Sequence, residues 1–89
     1  MDAQAVVAFN LRRLRVARGL SQEALAVDAD LDRTYVSRLE RRKENPSVAV
    51  LSRLAAALAV DIAEFFVRPT PGTAPPKTLR AGRKVKAQK

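Results

Sequence analysis

Residues 21–42 read SQEALAVDADLDRTYVSRLERR, and this stretch decides the fold because it encodes two short helices joined by a tight turn. Ser21 is a strong N-cap, whose side-chain oxygen can accept from one of the orphan backbone N–H groups of the first helix. Glu23 follows in the first turn, where the helix dipole favours a negative charge. Leu25 is the inward residue of that helix. Asp30 and Asp32 flank Leu31, so the chain breaks after Ala29, drops Leu31 into the core and restarts with Asp32 as a second N-cap.

On a wheel of about 100° per residue, the second helix places Val36 and Leu39 on one narrow apolar side and Thr34, Ser37, Arg38 and Arg41 opposite. Arginine can pair bidentately with guanine, and threonine and serine hydroxyls can serve several bases. A helix with one slim buried seam and a basic, hydroxyl-bearing outer face is shaped for a major groove. Arg33 lies nearer the flank of that face, within reach of a base or a phosphate, and Tyr35 is placed for the DNA backbone or for packing. Thr34 and Arg38, four residues apart, are expected to carry much of any sequence discrimination. Taken alone, the run of Arg38, Arg41, Arg42 and Lys43 reads as an ordinary solvated helix face.

The surrounding motif tips that balance. Residues 10–66 resemble the helix-turn-helix DNA-binding domain of phage repressors and Cro, the XRE-type regulators, through NLRRLR, ARGLSQEALA, LDRTYVSRLE, NPSVAVL and ALAVDIAEFF in order. LDRTYVSRLE followed by ENPSV is also similar to the controller proteins of restriction–modification systems. The resemblance implies an all-α, compact five-helix domain that binds double-stranded DNA as a homodimer in a bacterial or phage-derived cytoplasm, with a repressor among the roles expected. It implies that Arg15 pairs with Glu40 instead of touching DNA, that Lys43 and Asn45 meet the phosphate backbone, and that the last helix forms the dimer contact. Related domains have glycine where Asp30 and Arg42 stand. Aspartate tolerates the left-handed region, whereas Arg42 leaves the shape of its loop open.

The remaining chain fits one small domain. Residues 5–18 form a first helix with Val7, Leu11 and Leu14 as its seam, ended by Gly19, where a positive φ is wanted. Phe9 lies off that seam and is expected to be half-exposed. Gln22, at the start of the first motif helix, is placed to help anchor a phosphate there. Residues 41–47 are loop, and Ser47 caps a helix over residues 48–59 with Val48, Leu51, Leu54, Ala55 and Leu58 inward. Asp61 and Glu64 make a capping-box-like start for a short last helix. Its Ile62, Phe65 and Phe66 are the candidate dimer surface, although for Phe65 simple closure of the core is an equal reading.

Composition narrows the function. The chain has 89 residues with neither cysteine nor histidine, which argues against disulfides, thiolate zinc sites and catalytic imidazole. No metal, cofactor or small-molecule ligand is expected. Ser21 and Ser37 lack an activating base, so an enzyme is not expected. No leader peptide or membrane span is expected. Residues 1–67 carry ten basic and nine acidic side chains, and half of the ten basic ones fall between Arg33 and Lys43. Residues 68–89 hold seven basic groups and no acid, with four of the five prolines, and read as a flexible tail that either attracts nucleic acid without regard to sequence or simply solubilises. The leading expectation is a sequence-specific transcription regulator on a roughly palindromic operator. The rival is an interaction module, such as an antitoxin or anti-activator, that uses the same fold to hold a protein.

Overall fold

The computed structural model describes residues 1–70; the basic tail expected over residues 68–89 lies almost entirely outside them. Four α-helices and one 3-10 helix follow in order: α1 (Ala3–Ala17), α2 (Gln22–Ala29), α3 (Arg33–Glu40), α4 (Val48–Leu58) and the 3-10 helix Ile62–Phe66. The described residues are all helix and connection, with no strand.

Each helix start follows local chemistry. Asp2 accepts from Ala5 N at 2.9 Å and starts α1 earlier than the apolar seam implies. Ser21 accepts from Ala24 N at 3.0 Å and Ser47 from Val50 N at 3.1 Å, as their positions predict. Asp32 has the extended backbone of an N-cap, but its side chain makes no capping bond. Gly19 ends α1 with φ 72°, and Asp30 takes φ 58° in the turn between α2 and α3. Arg42 adopts φ 61° without the freedom of glycine, at a cost on the order of 1–2 kcal/mol. The loop after α3 therefore keeps the left-handed turn in spite of the substitution. Arg53 steadies the α2–α3 turn from α4, donating to the carbonyls of Ala29 and Asp30 at the end of α2.

One core collects the inward residues of every element. Leu11, Leu25, Val36, Leu54, Leu58 and Phe65 are fully buried, and Leu14, Leu39 and Leu51 nearly so. α2 packs on α3 and α4, and α1 closes the other side against α3 and the 3-10 helix. Three expectations are corrected. Val48 is 72% exposed, because the seam of α4 opens a turn later, at Leu51. Phe9 is buried: with Ala5 and Ala8 it lines a cleft between α1 and the end of α3, bordered by Arg12, Arg41 and Arg42.

The expected fifth α-helix is the third correction, for it is a five-residue 3-10 helix. Asp61 caps it through Ala63 N at 2.8 Å, while Glu64 reaches Arg13 at 3.3 Å in place of closing a capping box. Asn10, almost wholly buried on α1, donates to the carbonyls of Phe65 at 2.9 Å and Val67 at 2.7 Å. Those carbonyls are drawn sideways onto α1, so the chain leaves the helical path once Phe65 has entered the core.

The deepest polar contact joins α1 to α3. Arg15 donates to Glu40 at 2.6 and 2.9 Å, and both side chains are fully inaccessible. Arg15 also donates to the Leu20 carbonyl at 2.9 Å. Gln22 at 3.1 Å and Arg12 at 3.2 Å also donate to the Glu40 carboxylate. The pairing of Arg15 with Glu40 that the resemblance implies is present.

Candidate nucleic-acid interface

α3 owes its outward face to its buried one. Val36 and Leu39 are held in the core, which leaves Thr34, Arg38 and Arg41 exposed and Ser37 half-buried at helical spacings of three and four residues. Arg33 is exposed at the first turn, and Arg42, Lys43 and Asn45 are exposed in the loop that follows. The two carboxylates within this basic stretch are both occupied. Glu40 is buried under Arg15, and Glu44 pairs with Arg38 at 2.7 Å. The surface from residue 33 to residue 45 is therefore positive, although residues 1–67 are nearly neutral.

Three site residues are placed more specifically than their positions in the chain foretell. Gln22 is half-buried and its amide is turned onto Glu40, which ties the start of α2 to the end of α3. Tyr35 is half-buried against the edge of the core. Burial first, and the nearby Glu44 carboxylate second, raise its phenol above the ordinary tyrosine value, so the ring stays neutral. Arg38 donates through Nε to Glu44 and through Nη2 to the Lys43 carbonyl at 3.2 Å.

Of the three candidate dimer residues, Phe66 is 51% exposed, as is its neighbour Val67 at 50%, while Ile62 is half-buried against the core. Phe65 is fully buried. It closes the core and offers no atom to a second chain. Asn10, Glu44 and the contribution of Gln22 to the Glu40 cluster escape sequence reasoning. The partners that matter here lie across the fold or beyond a turn: Phe65 and Val67 for Asn10, Arg38 for Glu44 and Glu40 for Gln22.

A tight turn between two short helices, the second buried along one seam and basic along the other, defines a helix-turn-helix domain. The helix-turn-helix family profile HTH_3 matches residues 11–65, and the chain belongs to this family of XRE-type regulators. A hypothetical transcription factor of Neisseria meningitidis serogroup B is 44% identical over 68 residues, covering 76% of this chain and 64% of that protein's length. Its crystal structure superposes with a TM-score of 0.74 over 76% of this chain and 78% of that one. The control protein C.SmaI of Serratia marcescens is 37% identical over 76% of this chain and 81% of its own length. The restriction–modification controller protein C.AhdI of Aeromonas hydrophila is 43% identical in its crystal structure, with a TM-score of 0.69 over 71% of this chain and 91% of that one. These relatives are a hypothetical transcription factor and two control proteins. No helix among the described residues is long and apolar enough to cross a membrane.

Tyr35 is the sole tyrosine, and the chain has no tryptophan, so its ionisation can be followed directly by ultraviolet absorbance. The titration is expected to have its midpoint above the free-tyrosine value, and Glu44→Gln should lower that midpoint while burial keeps it elevated. The stabilisation linked to this group is full below the unfolded pKa of about 10 and is lost as pH rises through the higher folded value. A wild-type midpoint at the free-tyrosine value would contradict the half-buried placement.

Proposed function

We propose that this protein is a sequence-specific, double-stranded DNA-binding transcription regulator that sits as a dimer on a roughly palindromic operator with α3 in the major groove. The observation that carries this reading is the outer face of α3. Thr34 and Arg38 are exposed directly behind a seam in which Val36 and Leu39 are buried, so they can meet adjacent base steps while the helix is held from behind. Ser37 and Arg33 flank them, and Tyr35 packs at the edge of the groove-facing surface. Arg41, Lys43 and Asn45 supply backbone contacts along the following turn. At the start of α2, free backbone N–H groups and the helix dipole attract a phosphate, and Gln22 sits beside it, fixed by Glu40.

The dimer contact in this reading is the exposed Phe66 with Ile62, next to Val67 at the end of the 3-10 helix. A two-fold axis there gives half-sites one helical turn apart, about 34 Å. It also adds apolar burial to a domain of a size that buries only about 60% of its unfolded surface.

Selection from random duplex DNA, followed by titration of site variants at fixed salt, tests the reading face. Arg38→Ala should cost about 1–3 kcal/mol on the selected duplex and relax preference at one base position, with little change on scrambled DNA. Lys43→Ala should weaken binding to every sequence alike and lower the salt slope by about one. Protection of Thr34, Ser37, Arg38 and Arg41 by a protein partner and not by duplex DNA would contradict the assignment. Phe66→Asp should give monomers by sedimentation and weaken operator binding far more than nonspecific binding. A folded wild-type monomer occupying a single half-site would refute the dimer.

A further inference from the structure

The geometry points to Glu44 as the positioning residue for Arg38: it clamps one edge of the guanidinium so that the other edge faces outward, set for a guanine. This assignment rests on the DNA-binding reading above and adds to it a residue outside the recognition helix.

Arg38 is exposed, yet its guanidinium is held. Nε donates to Glu44 Oε2 at 2.7 Å and Nη2 to the Lys43 carbonyl at 3.2 Å. Both donors belong to the same side edge of the planar group, so both restraints act on that edge. The end edge, made by Nη1 and the second N–H of Nη2, meets no partner among the described residues. A guanidinium carries its five donors in a rigid fork, so fixing one edge fixes the direction of the next. Two parallel N–H groups on the end edge are the pair that matches guanine N7 and O6.

The clamp stands on an anchored turn. Lys43 N donates back to the Arg38 carbonyl at 2.8 Å, and Gln4 on α1 donates to the Glu44 carbonyl at 2.9 Å. Glu44 therefore approaches Arg38 from a segment tied to both α3 and α1. An exposed ion pair of this kind contributes little to folding. Its effect on binding is larger, because a long side chain already held in its reading orientation loses less freedom when it meets the base. The same carboxylate cancels one positive charge on the face and so reduces its attraction to phosphates of any sequence. The orienting effect raises the ratio of specific to nonspecific binding, whereas the charge effect lowers both affinities alike.

The test compares the full chain with Glu44→Ala, Arg38→Ala and the double variant on the selected duplex and on a scrambled one, at one salt concentration. Glu44→Ala is expected to lower the ratio of the two affinities about tenfold, within the range that one bidentate base contact supplies. The loss should fall on the base position that Arg38→Ala relaxes and should vanish in the Arg38→Ala background. Thermal melting should change little, since the pair lies at the surface, with Arg38 exposed and Glu44 half-buried. If Glu44→Ala strengthens binding to both duplexes by one common factor, or acts equally with Arg38 absent, Glu44 is only a repelling charge and the assignment is overturned. If wild-type protein binds both duplexes alike, the DNA-reading function itself fails, which is a separate result from a selective wild type whose ratio Glu44→Ala leaves intact.

Discussion

A carboxylate and a guanidinium, both sealed from water, meet where three helices come together. Arg15 lies near the end of α1, Glu40 is the last residue of α3, and Gln22, the first residue of α2, donates to the same carboxylate. Desolvating two charges costs several kcal/mol for each ion, so such a pair adds little net stability by itself. Removing one partner is another matter, for it strands a buried charge at a cost of about 3–5 kcal/mol. The pair thus acts as a register device. The placement of α3 against α1 and α2 that satisfies both ions sets where the helix stands along its own axis.

The rest of the interface depends on that registration. Burial of Val36 and Leu39 fixes the rotation of α3 about its axis, and Glu40 fixes its position along the axis. The outer residues then need no packing role, so their chemistry is free to serve a ligand. Further polar contacts secure the arrangement. Asn10 holds the 3-10 helix against α1, Arg53 closes the end of α2, and the Arg38–Glu44 pair crosses the turn after α3.

Much of this was legible in the sequence, because caps, turns and seams are local signals. Ser21, Ser47 and Asp61 cap as their positions foretell, Gly19 and Asp30 take positive φ, and the Val36–Leu39 seam is buried. The misreadings share a physical cause, which is that periodicity cannot say what lies opposite a residue. Val48 continues the seam of α4 on a wheel but stands one turn before α4 meets the core. Phe9 leaves the seam of α1 and is buried even so, in the wall of a cleft that Met1, Arg41 and Arg42 also line. Phe65 and Phe66 are adjacent and alike in chemistry, yet Phe65 enters the core and Phe66 faces outward, with Asn10 holding the carbonyls of Phe65 and Val67 on either side of Phe66. Ala59 carries a left-handed φ of 56° at the end of α4, where no glycine marks the position in advance.

The measurement that bears most directly on the register role of the buried pair is denaturant unfolding of Arg15→Met, Glu40→Leu and the variant carrying both. Each single substitution should reduce the unfolding free energy by about 3–5 kcal/mol, and the double variant should be more stable than either single one because no stranded charge remains. Losses below about 1 kcal/mol that simply add in the double variant would contradict the account, since α3 would then be positioned by apolar packing alone.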